Sequence, residues 1–370
     1  MNRVFSFYDQ LGGEKGMRAL YDLFDEKYNN ASWKGHFPWD TPQYDLTFNV
    51  LTAQSNIAPM ASIIDINAPK PTRSTQGYGT YGGAIPKLGH GFDIVEQTLR
   101  MQQVIFSQGG AVNPRILADI LFNKADKLIQ GAHNRMTYMD DQVRSTGKLI
   151  INVDNNPDGI GIEVDYRVPA ENFLKAGFNQ ASKLAWSDPN ADPIQDLLNM
   201  VEYADKHNIV YGTFEMSKSL FNTFLSHPKV LEWVRARMKI ADNVSYPLGR
   251  TEVIAALDGY GSLPPIKIYD GKQVYEEDGI SKSIHGFSDK NVVLRPSGAI
   301  GKMKNAVSMH TLAPSTPVDF RTTVEQGRIA ILNQWDSRSL INHIELEGYA
   351  VPALDNPKNI LILDTTEAAV

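Results

Sequence analysis

The 370-residue chain contains no cysteine. Without thiols it cannot form disulfides, thiolate metal sites or iron–sulfur clusters, and a cysteine nucleophile is excluded as well. Long apolar runs are also missing, since no stretch approaches the ~20 apolar residues that a membrane-spanning helix needs. Residues 1–5 lead into mixed polar residues and not into the apolar core of a signal peptide. We therefore expect no membrane partner, and a chain that is made and kept in a cytosol-like compartment.

The sequence has no excess of positive charge. Its formal net charge is −6, with 42% hydrophobic and 21% charged residues, which is ordinary for a soluble globular protein. This balance argues against a protein whose whole surface grips nucleic acid, although it permits a local basic face. Two basic groups stand out, and we interpret both as solvated helix ends and loops rather than phosphate contacts: Arg295, Lys302, Lys304 and Arg321, and separately Arg235, Arg237 and Lys239.

Motifs for nucleophilic, metal or nucleotide chemistry are absent from the sequence. It has no Gly-x-Ser-x-Gly elbow, no Walker lysine loop and no histidine pair four residues apart around a glutamate. Adjacent acids such as Asp140-Asp141 and Glu276-Glu277 point apart on a helix or strand, so we interpret them as solvated faces. The eight histidines lie far apart, which predicts scattered surface and capping positions: His36, His90, His133, His207, His227, His285, His310 and His343.

One glycine pattern, at residues 77–82, matches the spacing of a dinucleotide-binding fingerprint. That chemistry needs a buried strand before it and a helix start after it, to meet the pyrophosphate. Pro71 lies upstream and Pro86 follows, so no helix can start where the motif requires it. We predict a flexible loop here, no catalytic, cofactor-binding or metal-binding residue in the chain, no cofactor, and no enzymatic activity.

The first half of the chain predicts an arm, a loop and a long helix. Residues 14–28 have helical apolar spacing, whereas residues 60–93 are too rich in glycine and proline to build a core, despite a strand-like run at 63–66. Long ordered loops are uncommon unless they have a role such as lying across a neighbour, so we expect an extended hairpin or loop. A helix around 94–106 precedes the longest one, from Asn113-Pro114 to about residue 146.

The second half predicts short helices between strands. A strand pair at 149–153 and 160–168 precedes a helix capped by Asp192, a buried strand at 209–214, and helices that start at Ser217 and at His227-Pro228. A short helix at 251–257 follows. The turn Asp270-Gly271 predicts a type I′ hairpin between 265–269 and 273–275, and Asp278-Gly279 is a second turn. Later strands are expected at 291–294, 341–351 and 359–363.

This order of parts resembles the Hong Kong ninety-seven capsid fold. The most specific stretch is Pro-Ile-Lys-Ile-Tyr-Asp-Gly-Lys-Gln-Val-Tyr-Glu-Glu-Asp-Gly at 265–279, followed by Phe-Ser-Asp-Lys-Asn-Val-Val-Leu-Arg-Pro at 287–296. Both resemble major capsid proteins of the phage lambda E type, with Ser288 where the family is expected to have proline. The ending, residues 349–353, 356–357 and 360–363, is also similar to that family.

The resemblance implies an α+β fold with five parts. These are an N-terminal arm and helix at 1–59, an extended loop at 60–93, a spine helix and peripheral strands at 94–190, an axial domain with late hairpins at 191–330, and C-terminal strands at 331–370 that return to the peripheral domain. It implies a major capsid protein that self-assembles into the icosahedral head shell around a double-stranded DNA phage genome.

The same resemblance implies the partners. We expect copies of the chain itself, as hexamers and pentamers, a portal, a decoration protein on some relatives, and packaged DNA held non-specifically on the inner face. The short arm carries no scaffolding segment, so a separate scaffolding protein is expected. Assembly is expected in the host cytoplasm and the product in the virion. A lysine–asparagine cross-link through Lys70 or Lys87 stays open.

Three other functions remain compatible with the sequence. One is an encapsulin-like compartment shell with the same fold, and another is a tail or tube protein of a virion. The third is an α/β hydrolytic enzyme that uses dispersed carboxylates and histidines.

Overall fold

A computed structural model describes residues 13–53, 78–97, 100, 114–157, 159–240, 248–258, 260, 263–277, 279–312, 320–336, 338 and 341–369. Two compact units form within the chain. Unit 1 comprises Met1–Phe48, Gly83–Thr137 and Lys302–Pro352, and unit 2 comprises Asn49–Gly82, Tyr138–Gly301 and Ala353–Val370.

Helices and strands alternate irregularly along the chain, as in an α+β fold. The helices are α1 (Gly13–Lys27), α2 (Ser32–His36), α3 (Pro114–Thr146), α4 (Pro193–Lys206), α5 (Lys218–Ser226), α6 (Pro228–Arg237), α7 (Arg250–Leu257) and α8 (Met309–Leu312). The strands are β1 (Thr47–Ala53), β2 (Tyr78–Ala84), β3 (Lys87–Ile94), β4 (Lys148–Ile151), β5 (Ile162–Asp165), β6 (Phe173–Ala176), β7 (Thr213–Ser217), β8 (Ile266–Tyr269), β9 (Gln273–Glu277), β10 (Ile280–Ile284), β11 (Asn291–Arg295), β12 (Gly301–Asn305), β13 (Phe320–Val324), β14 (Ile329–Asp336), β15 (Ile341–Leu354) and β16 (Leu361–Ala368).

The long helix α3 confirms the helix predicted from Asn113-Pro114 to about residue 146. Its apolar stripe is buried at Leu128, Met136 and Val143, which recur at helical spacing. It ends at Gly147, whose φ of 68° is the left-handed conformation that glycine adopts after a helix. A Cβ at this glycine would lie 2.8 Å from Cγ2 of Val168, so any other residue would also clash sterically here.

Unit 1 is built on an antiparallel sheet in the order β12-β15-β14-β13, with β3 paired to β15. The buried residues Ile331 and Leu346 are cross-strand partners in β14 and β15. The predicted N-terminal helix is confirmed as α1, and its buried Tyr21 stacks on Phe320 of β13 with ring centroids 6.1 Å apart.

Unit 2 contains an extensive apolar core. A five-stranded sheet in the order β6-β16-β11-β7-β8 contributes Phe214, Val292 and Leu361 to it, and the helices contribute Leu197 and Phe221 among others. The predicted helix starts are confirmed. Asp192 accepts a hydrogen bond from Gln195 N–H, Ser217 from Leu220 N–H and His227 from Lys229 N–H, which satisfies backbone donors of α4, α5 and α6.

Two strand predictions are wrong. The strand expected at 209–214 is β7, shifted to 213–217, because its backbone partners lie in β11 and β8. The hairpin expected around Asp270-Gly271 does not form either. Strand β8 pairs in parallel with β7 instead, and β9 pairs with β10 across the second turn, where Ile280 faces Glu277.

The glycine-rich stretch is β-structure in its described part, so the prediction of a flexible loop is wrong there. Strand β2 pairs with β1, and β3 pairs with β15 along its length. The strand expected at 63–66 lies outside the described residues. Of the helix expected at 94–106, residues 96, 97 and 100 are helical, Ile94 belongs to β3, and Val95 is in neither a helix nor a strand; the other residues lie outside the described ones. Within the described ranges no helix is both long and apolar enough to cross a membrane.

Candidate functional site: two buried charge clusters

The first cluster surrounds Arg144 in unit 2, near the end of α3. Its guanidinium is fully buried and binds three carboxylates. Nε donates to Oδ1 of Asp140 at 2.8 Å, Nη2 donates to Oδ1 of Asp141 at 2.5 Å, and Nη1 donates to Glu215 of β7. The guanidinium carbon also lies 4.4 Å from the ring centroid of Tyr269. A buried arginine is tolerated because its planar fork is matched by acceptors and an aromatic face.

A second buried arginine completes this cluster. Nη2 of Arg295 donates to Oε1 of Glu215 at 2.5 Å, and its Nη1 donates to the carbonyl of Pro296 at 2.6 Å. The Tyr269 hydroxyl donates to the same Glu215 oxygen at 2.8 Å. Two guanidinium groups therefore face three carboxyl groups in a space closed to water.

Asp141 is the carboxyl of this cluster whose pKa is raised. Burial raises the pKa of Asp141 to about 7, against the lowering effect of Arg144. Asp140 and Glu215 hydrogen-bond their arginine partners directly, and their proximity adds to the rise in the pKa of Asp141. The cluster thus joins α3 to the sheet of unit 2 and contains one carboxyl that titrates near neutral pH.

This geometry corrects two interpretations of the sequence. Asp140 and Asp141 are not a solvated face, since their side chains are buried against Arg144. Arg295 is likewise not a solvated basic residue. The signal that sequence reasoning missed is the position of Arg144, four residues after Asp140 and three after Asp141, within the apolar stripe of a helix.

The second cluster surrounds Glu325 in unit 1. Its carboxylate accepts from Nζ of Lys34 at 2.7 Å and from Nε1 of Trp39 at 2.7 Å, and its backbone N–H donates to Oδ2 of Asp25 at 2.9 Å. Nε2 of His133 lies 3.1 Å from Oε1. Desolvation opposes ionisation, but the close approach of His133 and the hydrogen bonds from Lys34 and Trp39 lower the pKa of Glu325 to about 2. Glu325 therefore ties α2 and α3 to the end of β13 through its carboxylate, and α1 through its backbone N–H.

The backbone at Glu325 is strained. Glu325 and Gln326 have φ of 52° and 56°, and Gly327 continues the left-handed run at 88°. Such conformations cost on the order of 1–3 kcal/mol for residues other than glycine and persist only where contacts over-determine them. Here the carboxylate contacts of Glu325 supply that constraint, and Arg328 donates to the Glu325 carbonyl at 3.3 Å.

Asp25, His133 and Glu325 each offer one donor atom within 4.8 Å of the others, which is the spacing of a metal site. The hydrogen bonds do not fit a metal there. Trp33 Nε1 donates to His133 Nδ1 at 3.1 Å, and an indole nitrogen cannot accept. Nδ1 therefore carries the lone pair and Nε2 the proton, so Nε2 has no lone pair for a cation. Nζ of Lys34 at Oε1 adds a competing positive charge.

The remaining predicted residues have ordinary partners. Lys302 and Lys304 approach the Asp40 carboxylate at 3.5 and 2.6 Å, and Lys87 pairs with Glu347 at 2.7 Å. Lys70 lies outside the described residues. Among the histidines, His227 is a helix cap as predicted, whereas His133 is buried, with 3% of its surface exposed.

The comparisons with known proteins identify the class. A family model described as phage major capsid protein E matches residues 36–311, which is most of the chain. The chain therefore belongs to that family. No curated protein gives a significant match.

Two solved structures have a similar fold. One is a phage-related protein from Bordetella bronchiseptica RB50, with a TM-score of 0.53 and 13% identity over 94% of this chain and 97% of that one. The other is a protein assigned as the capsid protein of a prophage of Escherichia coli CFT073. It has a TM-score of 0.57 and 15% identity, and the match covers 95% of this chain and 98% of that one.

The expected fold is confirmed as the α+β Hong Kong ninety-seven capsid fold, and the resemblance to the lambda E type is confirmed by the family model. The protein is a shell-forming capsid protein of a phage, in a family and fold that are structural. In this context the Arg144 and Glu325 clusters are devices that hold the subunit together.

Proposed function

We propose that the chain assembles as hexamers and pentamers into the icosahedral head shell of a tailed bacteriophage, around a double-stranded DNA genome. The observation that carries this proposal is the match of the phage major capsid protein E model to residues 36–311. Shells of identical subunits use heterologous contacts that close around symmetry axes. Each contact can be weak, because many of them acting together stabilise the shell.

The order of elements along the chain assigns a part of the capsid fold to each of five segments. We assign residues 1–59 as the arm, 60–93 as the extended loop, 94–190 as spine and peripheral strands, 191–330 as the axial domain and 331–370 as the returning strands. The pairing of β2 with β1 and of β3 with β15 supports the extended-loop assignment in its described part. The 33-residue helix α3 supports the spine.

The partners in this proposal are those that head assembly requires. A portal provides the vertex for DNA entry, a separate scaffolding protein guides curvature, and a decoration protein is an optional addition outside. Packaged DNA contacts the inner face without sequence preference. Assembly takes place in the host cytoplasm, and the mature product is the virion.

The test is expression of the chain alone and with the scaffolding protein, followed by sedimentation and nucleic-acid analysis of purified particles. Large closed particles that package DNA in the presence of the phage machinery are the expected result. Particles that hold a protein cargo and no nucleic acid would instead indicate an encapsulin-like compartment. A monomer under every condition would revive the hydrolytic-enzyme hypothesis.

A further inference from the structure

The β9–β10 hairpin of unit 2 exposes both of its faces. Among the described residues this sheet has only these two strands. Val274 is 58% exposed and Ile280 is 64% exposed. Ile280 is opposite Glu277, three residues from Val274, so the two apolar side chains lie on opposite faces. A two-stranded hairpin with apolar residues on both faces is marginal in water and gains stability by docking.

The base of the hairpin is fixed although its far end is exposed. The side chain of Gln273 is buried, donates to Oδ2 of Asp141 at 3.4 Å and accepts from Gly286 N–H at 3.3 Å. Phe287 stacks on Tyr269 with ring centroids 5.4 Å apart. The hairpin is therefore presented from the Arg144 cluster as a positioned element, which lowers the entropy cost of binding a partner.

The far end of the hairpin is acidic. The sequence there is Glu276-Glu277-Asp278. Glu276 is exposed, and Glu277 is paired with Lys282 on the facing strand. An acidic element with exposed apolar neighbours fits a partner surface that combines positive charge with apolar area.

Such a surface exists elsewhere in unit 2, at the end of helix α6. Residues 235–239 read Arg-Ala-Arg-Met-Lys with no acidic residue among them. Arg237 and Lys239 are exposed, and Met238 is 39% exposed between them. Arg237 is held in place, because its Nε donates to the Ala256 carbonyl at 2.7 Å and its guanidinium lies 5.0 Å from the Tyr260 ring centroid.

We propose that the β9–β10 hairpin of one copy docks on the α6 end, residues 235–239, of a second copy of this chain. The occupant is a second copy because the hairpin and the α6 end have opposite charge, each with exposed apolar area, and both belong to one chain. Two different patches that bind each other make a heterologous contact, the kind that forms a ring when the rotation between copies closes. This inference rests on the proposed shell-forming function.

A charge exchange between Glu276 and Lys239 tests the contact. The variants are Glu276→Lys, Lys239→Glu and the double variant, with Glu202→Lys on α4 as the matched control, since Glu202 is an exposed acid whose partner, Lys206, is on its own helix. The assembled fraction is measured by sedimentation at about 0.1 M and 0.5 M salt, and folding by circular dichroism. At the lower salt the Debye length is ~10 Å, so surface charge pairs still act.

Each single exchange is expected to lower the assembled fraction on the order of tenfold at the lower salt, because like charges then face each other. The double variant should regain assembly, and Glu202→Lys should assemble as the wild type does. At the higher salt the assembled fractions of the single variants and the wild type should differ less. If wild type assembles and Glu276→Lys matches the Glu202→Lys control, the hairpin contact is wrong while shell formation stands. If wild type itself never assembles, the proposed function and this inference both fail.

Discussion

The indole N–H of Trp33 donates to Nδ1 of His133 across 3.1 Å, and both side chains are buried. Because indole is only a donor, this bond fixes the histidine tautomer with its proton on Nε2, towards Glu325. Glu325 itself is linked to α2 through its carboxylate and to α1 through its backbone N–H. The cluster of Asp25, His133 and Glu325 has the spacing of a metal site, but its polar groups are held by hydrogen bonds and an ion pair that connect the helices of unit 1 to β13.

The tautomer gives the first prediction. Correlation spectra of histidine-labelled protein should show His133 with an unprotonated Nδ1 and a protonated Nε2. Addition of Zn²⁺ should leave these signals in place, since Nε2 has no lone pair while Trp33 donates to the other nitrogen. A zinc-dependent shift of the His133 signals that is lost in Asp25→Asn would show that the metal interpretation was right.

A second prediction concerns Arg144. Replacement by methionine removes the cation that three buried carboxyls share, and an uncompensated buried charge costs about 3–5 kcal/mol. The free energy of unfolding of the unassembled subunit, from chemical denaturation, should fall by that amount. Lys206→Met is the control, because the Lys206–Glu202 pair is exposed and contributes less than about 1 kcal/mol. Equal small effects in both variants would contradict the role given to the cluster.

The third prediction is a pH dependence of stability. Because burial raises the pKa of Asp141 from 3.8 to about 7, the native state holds a proton there that the unfolded chain has released. The stability that this proton contributes is fully present below about pH 4 and is lost as pH rises through 7. Over this range the free energy of unfolding falls with a slope that approaches about 1.4 kcal/mol per pH unit.

Asp141→Asn isolates this contribution. Asp196, whose pKa is raised to about 6 by burial, contributes with the same sign in both proteins, and Glu325, with its pKa lowered to about 2, acts only in acid. Denaturation between pH 5 and pH 7 should therefore show a wild-type free energy that falls more steeply than that of the variant. Parallel curves would mean that Asp141 is ionised throughout.

The fourth prediction uses two glycines with opposite environments. Gly147→Ala should destabilise the subunit by more than about 1 kcal/mol, because its φ of 68° is unfavourable for alanine and the new Cβ meets Val168. Gly35→Ala should be neutral or stabilising by up to ~1 kcal/mol, because Gly35 is helical and its Cβ would meet nothing within 4 Å. The melting temperatures of the two variants are compared by thermal denaturation. A melting temperature that moves in the same direction in both would contradict the assignment of Gly147 as the residue at which α3 ends.

Features with local causes were predictable from the sequence. The helix starts at Asp192, Ser217 and His227 each depend on one side chain and a backbone N–H two or three residues away. The end of α3 at Gly147 depends on a single backbone conformation. Such signals lie within a few residues and need no knowledge of the rest of the fold.

Features with distant partners were not predictable. The Asp270-Gly271 turn favours a hairpin locally, but β8 pairs in parallel with β7, which lies about fifty residues earlier. Glu215 lies 71 residues from Arg144 and 80 from Arg295, so no local pattern reveals that the three share one cluster. The shift of β7 from 209–214 to 213–217 has the same origin, because tertiary pairing overrides a short apolar run.

Electron cryomicroscopy of the expressed protein, alone and with its scaffolding protein, tests most directly whether function resides in contacts between copies. The account predicts closed icosahedral particles in which each subunit lies in a hexamer or a pentamer. Monomers under all conditions, or open tubes without five-fold vertices, would contradict it.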